Sequence, residues 1–150
     1  MHMNHYARLA AMTGLSFIAM FILMYAMVDR FGNVYANVNQ AYMAALMAAP
    51  MVIIELILMW GMYENRRANI AILAASAIVL LASWIGIREQ VAVGDSQFLR
   101  SMIPHHAGAI LMCEEAPLQD TAIKDLCRDI IKSQNEEIAQ MKALLTKDNR

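Results

Sequence analysis

Three long apolar runs occupy most of the first 90 residues of the chain. Residues 9–28 and 68–87 contain no charged side chain, and residues 40–63 contain only Glu55. A helix rises about 1.5 Å per residue, so about 20 residues cross a hydrocarbon core that is about 30 Å thick. Lipid offers the backbone no hydrogen-bond partners, and apolar runs of this length therefore form helices. The pattern predicts a membrane domain over residues 1–90 with three transmembrane helices.

From Asp95 onward the pattern changes, because charged residues now alternate with apolar ones at helical spacing. It predicts two amphipathic helices, over about 95–116 and 120–145. Asp95 or Ser96 can cap the first helix, and Asp120 can cap the second. The PLQD loop between them is short, so the two helices are expected to form an antiparallel hairpin.

Each predicted helix of the hairpin has one broad face of apolar or weakly polar residues. On the first helix this face contains Phe98, Leu99, Met102, His105, His106, Ala109, Met112 and Cys113; on the second it contains Ile123, Cys127, Ile130, Ile131, Gln134, Ile138, Met141 and Leu145. Two such helices cannot bury both faces against each other, whereas four can. We therefore expect an all-α protein whose hairpin, residues 91–150, completes a four-helix bundle by forming a homodimer or higher oligomer.

Pro104 leaves the start of the first hairpin helix open. If the helix begins near Asp95, the proline removes one backbone hydrogen bond and kinks the helix just before the histidines. If the main helix begins at Pro104, the proline occupies the first helical position, where it is well tolerated.

The few charges between the apolar runs predict the orientation in the membrane. The turn after the second run, ENRR, contains Arg66 and Arg67, whereas the first connection contains only Arg30. Positively charged loops stay in the cytoplasm, which places the N-terminus with Arg8 there and the hairpin outside. The first run is too long for a signal peptide and is expected to be retained. We expect an inner (plasma) membrane protein with a periplasmic or otherwise extracytoplasmic hairpin.

Composition adds sulfur to this picture and argues against nucleic acid as a partner. The 150 residues are 59% hydrophobic and include 14 methionines and two cysteines, with a net charge of −1. The hydrophobic fraction exceeds the roughly 45–50% of soluble domains, and there is no basic stripe that would bind nucleic acid. Cys113 and Cys127 both fall near the hairpin turn, where an extracytoplasmic location favours a disulfide over metal ligation or free thiols.

The motif MIPHH concentrates metal-binding side chains on the first hairpin helix. Met102 lies three residues before His105 and four before His106, so one helical turn brings a thioether beside an imidazole. Sulfur with imidazole favours Cu(I), whereas carboxylate with imidazole favours Zn(II), Cu(II) or iron. Folding about Leu118 is expected to place His106 near Ile131, with Gln134, Glu137 and Met141 extending the facing wall. The N-terminal sequence MHMNH can also chelate a metal.

Methionines also follow one face of the second apolar run. Met43, Met47, Met51, Met59 and Met62 repeat at steps of three, four or eight residues, together with Glu55. Such a stripe can pass Cu(I) along a membrane, but ordinary helix packing is the expected role. An acid within a membrane helix needs a partner or a proton, and Ser76, Ser83 and Trp60 are the candidate partners of Glu55.

The sequences FLRSMIPHHAGAILM and IIKSQNEEIAQM resemble the family known as domain of unknown function 305. The resemblance covers about residues 95–145 and implies a ferritin-like helical bundle of the periplasmic copper-binding type. It implies metal ligands at Met102, His105, His106 and Met112 in the first helix, and at Gln134, Glu137 and Met141 in the second. Many members of that family carry the hairpin twice in one chain, whereas this chain has one copy, in agreement with the assembly of two chains.

These patterns predict a membrane-anchored protein that binds copper, preferably as Cu(I), with zinc or iron less favoured. It would sequester the metal or exchange it with a donor or acceptor protein. The alternative is a non-catalytic, dimerising membrane module that binds no metal. We do not expect an enzyme, because the sequence contains no Glu-x-x-His pair, phosphate-binding loop or nucleophile–base pair.

Overall fold

Residues 4–148, which the computed structural model describes, form helices and the turns between them. The five α-helices are α1 His5–Leu23, α2 Val38–Leu58, α3 Arg66–Arg88, α4 Asp95–Glu115 and α5 Thr121–Asp148. Three short 3-10 turns lie at Met24–Met27, Phe31–Asn33 and Trp60–Met62. The described residues contain no β-strand, and the predicted all-α class is confirmed.

The chain divides into two compact units. One contains the residues up to Leu23 together with Asn39–Val91, and it holds α1, nearly all of α2, and α3. The other contains Met24–Val38 and the chain from Ala92 onward. The sequence analysis assigned the connection between α1 and α2 to the membrane domain, whereas the structure groups it with the hairpin. We call this connection, Met24–Val38, the strap.

Three helical segments are long and apolar enough to cross a membrane: His5–Met27, Val38–Leu58 and Arg66–Arg88. Each overlaps one of the predicted spans. The second ends at Leu58 rather than near residue 63, because the following residues form the 3-10 turn at Trp60–Met62.

Polar side chains join these three helices at the end where α1 begins. The Tyr6 hydroxyl donates to Asn69 Oδ1 at 2.8 Å and accepts from the backbone N–H of Asn65 at 3.1 Å. Asn69 Nδ2 donates to the carbonyl of Tyr63 at 2.9 Å, and the Tyr63 hydroxyl donates to Glu55 Oε1 at 2.9 Å. We call this group the tyrosine clamp. It gives each of these polar groups a partner in apolar surroundings, where an unpartnered group is costly.

The partner of Glu55 therefore differs from the three candidates that the sequence analysis considered. Tyr63 reaches the carboxylate because the chain turns back after α2 through the Trp60–Met62 turn. Helical spacing alone does not reveal a contact that depends on this turn.

The three helices are tied again at the opposite end. The Tyr42 ring lies against Gly86, where an added Cβ would come within 2.9 Å of the ring. The Tyr42 hydroxyl also donates to the carbonyl of Val91 at 2.9 Å. Gln40 Nε2 on α2 donates to the carbonyl of Phe21 on α1 at 3.3 Å. The helices of this unit are thus held together at both ends.

Helices α4 and α5 pack around one hydrophobic core, which contains Ile103, Ala107, Ile110, Ile138, Met141 and Leu145. The buried residues of α5 lie on its predicted face. The buried face of α4 is rotated from the predicted one, because Ile103 and Ile110 are fully buried whereas Phe98 and Met112 are about half exposed. The physical reason is that α4 packs against α5 on one side and against the strap on another.

The ends of the hairpin helices follow the sequence in part. Helix α4 begins at Asp95 and runs through Pro104, which selects the first of the two alternatives. Its N-cap is Gly94 rather than Asp95 or Ser96. Asp120 caps α5 as predicted, and its carboxylate accepts from the N–H groups of the second and third helical residues at 2.8 and 3.1 Å.

A disulfide joins Cys113 on α4 to Cys127 on α5, with Cα atoms 5.3 Å apart. The disulfide pairs position 113 with position 127, which centres the hairpin on residue 120 rather than on Leu118. His106 accordingly contacts Glu137. This corrects the predicted register, in which His106 lay near Ile131.

The strap lies against α4. An added Cβ at Gly108 would come within 3.3 Å of the Met27 carbonyl oxygen, so glycine permits this close approach. Pro104 has no N–H to donate to the carbonyl of Arg100. Asn37 Nδ2 of the strap approaches that carbonyl at 3.5 Å, a long hydrogen bond. The proline thus leaves a carbonyl available that the strap uses.

Charged groups fasten the strap to α5. Lys142 Nζ donates to the carbonyl of Gly32 at 2.9 Å and to Asn33 Oδ1 at 2.6 Å. Within the strap, Asp29 accepts from Asn33 Nδ2 at 2.6 Å and pairs with Arg30 at 2.7 Å. Burial acts to raise the pKa of the Asp29 carboxyl, but these hydrogen bonds and the Arg30 charge outweigh it and hold the pKa below its ordinary value.

Replacing Lys142 by methionine is expected to loosen the strap. The change removes two hydrogen bonds and leaves the buried Asn33 side chain short of a donor, which costs about 1–3 kcal/mol. Amide hydrogen exchange of residues 29–35 measures this as faster exchange. Lys132→Met on the exposed side of α5 is the matched control and leaves the exchange rate unchanged.

Exchange of the amides of residues 29–35 should also depend on pH. Because the pKa of Asp29 is lowered in the folded chain, its contribution is complete above its ordinary pKa of 3.8 and is lost as the pH falls through the lowered pKa. Exchange of the strap, corrected for the intrinsic effect of pH, should therefore accelerate below about pH 4. Equal protection at acidic and neutral pH in the wild-type chain would contradict this role of Asp29.

Reducing the disulfide, or replacing both cysteines by serine, should destabilise the hairpin. The bond closes a loop with a sequence separation of 14, for which the loss of chain entropy in the unfolded state is worth about 3 kcal/mol. Chemical unfolding of the hairpin, followed by circular dichroism with and without reductant, measures the difference. Superimposable curves would mean that the packing of α4 on α5 holds the hairpin without the bond.

Candidate metal site

His106 occupies the inner side of the hairpin, halfway along α4. Its side chain is buried, and the fully buried Ile103 and Ile110 lie one turn before and one turn after it. His105 is exposed, because adjacent residues of a helix point about 100° apart. The centroids of the two rings are 6.2 Å apart and their planes are inclined at 63°. The structure thus separates the two histidines, which the sequence analysis placed together on the inner face.

Both ring nitrogens of His106 face oxygen atoms. Nδ1 lies 2.9 Å from the carbonyl oxygen of Met102, and Nε2 lies 2.7 Å from Glu137 Oε2. A carbonyl only accepts, so Nδ1 carries a proton. The Nε2 contact needs one further proton, either on the ring as part of an imidazolium or on the Glu137 carboxyl. The ring is thereby fixed in position, and Nε2 is the nitrogen that can bind a ligand other than the backbone.

The His106–Glu137 contact also indicates which methionines lie nearby. Met102 precedes His106 by four residues on α4, and Met141 follows Glu137 by four residues on α5. In an antiparallel pair these steps run in the same direction, so Met102 and Met141 face each other one turn away. Met141 belongs to the buried core, and Met102 packs against that core. One imidazole, one carboxylate and two thioethers therefore share two adjacent layers of the hairpin.

The chemistry of this set depends on sulfur. Among the described residues, no three side chains of the His, Cys, Asp and Glu types lie close enough together to hold a metal ion. His106 and Glu137 alone provide two donors, fewer than the four that zinc prefers. Thioethers with an imidazole suit Cu(I), a soft ion. The set {Met102, His106, Glu137, Met141} thus fits a soft cation better than a hard one.

The other predicted ligands lie outside this set. Met112 is 55% exposed and does not belong to the hydrophobic core. Gln134 is half-buried on α5, one turn before Glu137. Cys113 and Cys127 are joined to each other and therefore offer no thiolate.

The N-terminal sequence MHMNH lies partly outside the described residues, which begin at Asn4. His5 is the first residue of α1, and its ring stands edge-on to Tyr63 with ring centroids 6.2 Å apart.

Four methionines of the second apolar run are exposed on the surface of their unit: Met43, Met47, Met59 and Met62. These side chains do not line the space between the three helices.

Sequence reasoning missed two features of the hairpin. One is the direct contact of His106 with Glu137. The sequence placed Glu137 only among the residues of the helix that faces the histidines. The other is the strap, whose contacts through Asp29, Asn33 and Asn37 the apolar pattern of the chain does not reveal. The clustering of short polar residues in DRFGNVYANVN was the available sign that this connection is structured.

Comparison with known proteins places these features in a family. Residues 84–146 match the family described as Domain of unknown function (DUF305). An uncharacterized protein of Acanthamoeba polyphaga mimivirus is 34% identical over 116 residues, which cover 76% of this chain and 74% of the viral protein. That alignment is longer than the family match, so part of the similarity lies outside residues 84–146. No solved structure matches the chain. With its α4–α5 hairpin as the matching domain, the chain belongs to the DUF305 family.

Proposed function

We propose that this protein is a membrane-anchored metal-binding protein that takes up copper as Cu(I) in its hairpin, for sequestration or handover. Met102, His106 and Met141 are the proposed ligands, with Glu137 beside them. The observation that carries the proposal is the His106 ring, which is buried with Nδ1 bonded to a backbone carbonyl and Nε2 directed at the adjacent helix. Such a bond to a carbonyl fixes the tautomer and orientation of metal-binding histidines.

The Nε2 contact with Glu137 bears on how a metal would bind. A metal at Nε2 must replace the proton of this contact, since a ligating imidazole is unprotonated on the binding nitrogen. The Glu137 side chain is 51% exposed and has room to turn toward solvent. A thioether needs no deprotonation, so Met102 and Met141 remain competent ligands at any ordinary pH.

The proposed location follows from the charges at the ends of the apolar helices. Arg66 and Arg67 lie at the start of α3, and Arg8 lies in the first turns of α1. This excess of positive charge supports a cytoplasmic placement of that end of the membrane unit in an inner (plasma) membrane. The hairpin would then be extracytoplasmic, where the Cys113–Cys127 disulfide is chemically stable.

The alternative is a module that binds no metal, and one observation favours it. The two nitrogens of His106 already have partners. In this alternative, the role of the ring and Glu137 is purely structural, and they join α4 to α5. A hydrogen-bonded polar pair between two helices, such as the buried His106 with the half-exposed Glu137, can specify helix register. The two functions differ in whether metal changes the protein, which a titration decides.

The first measurement is Cu(I) affinity, by competition with a chromophoric Cu(I) chelator, of the full chain in detergent. His106→Ala, and the double variant Met102→Leu with Met141→Leu, should each lower the affinity at least tenfold, about 1.4 kcal/mol. Leucine conserves the volume of methionine, so the double variant keeps the packed core. His105→Ala and Met112→Leu replace exposed residues of the same types and should stay within about twofold.

Glu137→Gln separates Cu(I) from harder ions in the same assay. An amide keeps a hydrogen-bonding group beside His106 but removes the carboxylate, a ligand that Zn(II) prefers and Cu(I) does not need. Cu(I) affinity should therefore change by less than about threefold. If the wild-type chain binds no Cu(I), or if His106→Ala binds it unchanged, the hairpin is the module without metal.

We also propose that a second copy of the chain packs against the hairpin. Three apolar residues beside the disulfide are about half exposed: Met112 on α4, and Ile123 and Leu126 on α5. The strap covers a different part of α4, at Gly108. Exposed apolar groups that lie close together are typical of an interaction site.

Leu126→Lys should convert such a dimer into a monomer, because it places a charge at the apolar contact. Light scattering of the full chain in detergent, corrected for the detergent mass, measures the assembly. Ala143→Lys introduces the same charge on an exposed residue of α5 away from the disulfide and should leave the mass unchanged. A monomeric wild-type chain would contradict the proposed dimer.

A further inference from the structure

A cavity of about 620 Å³ lies between the three apolar helices. Most of its wall consists of short side chains, which include Gly14 and Ala10 on α1, Ala48 and Ala49 on α2, and Ala75 and Ser76 on α3. A Cβ added at Gly14 would meet no atom within 4 Å, and Gly14 and Ala75 are exposed, so the cavity is open to the surroundings along α1 and α3. Its volume falls within the range of about 300–1,000 Å³ that is typical of small-molecule sites.

The cavity is a built feature of this unit, because the helices are held together at both ends of it. The tyrosine clamp joins them where α1 begins, and Tyr42 with Gln40 joins them where α1 ends. Larger side chains at Gly14 or Ala75 would fill the gap between the two ties. An apolar cavity favours apolar molecules over water. Because this cavity is open, an apolar group from the surroundings can enter it.

Cationic residues lie close in sequence to the residues at one end of the cavity. Tyr6 lines the cavity and also belongs to the tyrosine clamp, through which it contacts Asn65, the N-cap of α3. Arg66 and Arg67 directly follow this cap, and Arg8 lies two residues after Tyr6. All three arginine side chains are exposed, and the acids at this end are Glu64 and the Glu55 of the tyrosine clamp. This end of the unit thus combines an excess of cations with the positive end of the α3 dipole.

We propose that the cavity binds one acyl chain of an anionic phospholipid, whose phosphate is held by Arg66, Arg67 and Arg8. The apolar wall of the cavity would contact the acyl chain, and the arginines would favour a negatively charged head group. Basic groups next to gaps between membrane helices are a known physical basis for binding anionic head groups. The occupant is a lipid rather than a second helix, because an anionic head group complements the charge of the three arginines, whereas an uncharged helix surface does not.

The test uses the full chain, delipidated in detergent and then exposed to mixed micelles of phosphatidylglycerol and phosphatidylcholine in equal amounts. Native mass spectrometry counts the lipids that remain bound. The wild-type chain should retain about one phospholipid, with phosphatidylglycerol preferred at least fivefold. Arg66→Gln with Arg67→Gln should retain lipid but reduce this preference to less than about twofold.

Filling the cavity tests the acyl-chain site separately. Gly14→Leu and Ala75→Leu each place a large side chain in the open space and should lower lipid retention at least tenfold, about the effect of losing one apolar anchor. Ala82→Leu adds the same side chain to an exposed residue of α3 outside the cavity and should retain lipid like the wild type.

Two results would overturn the proposal. One is equal lipid retention by the wild-type chain and by both filled variants. The other is a wild-type chain that retains no lipid. If the Gly14→Leu variant then also differs from the wild type in its mass in solution, the cavity wall is instead a contact for a helix of a second copy. None of these outcomes depends on copper, so they leave the hairpin site to its own test.

Discussion

The contact between His106 Nε2 and Glu137 Oε2 is the interaction on which the arrangement of the hairpin depends. At 2.7 Å it joins the middle of α4 to α5, and through the spacing of each helix it brings Met102 and Met141 to the adjacent layer. The disulfide near the turn and the Lys142 contacts with the strap fix the same pair of helices at other levels. The position of every proposed ligand follows from this register.

Each unit solves the same problem, which is to hold helices together when their surfaces are mostly apolar. In the unit of the three apolar helices, hydrogen bonds of Tyr6, Tyr63 and Asn69 lie at one end and leave an apolar space in the middle. In the hairpin unit, Pro104 leaves the Arg100 carbonyl without its helical N–H donor, and Asn37 of the strap approaches this carbonyl. The missing backbone hydrogen bond of α4 thus provides a contact for the strap. Directional polar contacts thus specify positions that apolar packing alone leaves free.

The helices and the identity of the hairpin were predictable, because apolar runs and helical spacing are local properties of the sequence. The α5 face with Ile138 and Met141 followed from spacing alone, as did the cap at Asp120. The register and the strap were not predictable in this way. The contact of Lys142 with Gly32 spans 110 residues and leaves no periodic trace. Spacing also could not decide which of the two adjacent histidines faces inward. The inward direction depends on which sides of α4 pack against α5 and against the strap.

X-ray absorption at the copper edge of the Cu(I)-loaded full chain is the most direct test of the proposed copper ligands. The proposed site predicts a mixed shell of sulfur and nitrogen, in which the sulfur signal falls when Met102 and Met141 are leucine and the nitrogen signal falls when His106 is alanine. Treatment that leaves the Cys113–Cys127 bond intact ensures that this sulfur comes from thioethers. A shell of nitrogen and oxygen alone, unchanged by the methionine substitutions, would contradict the proposed ligands.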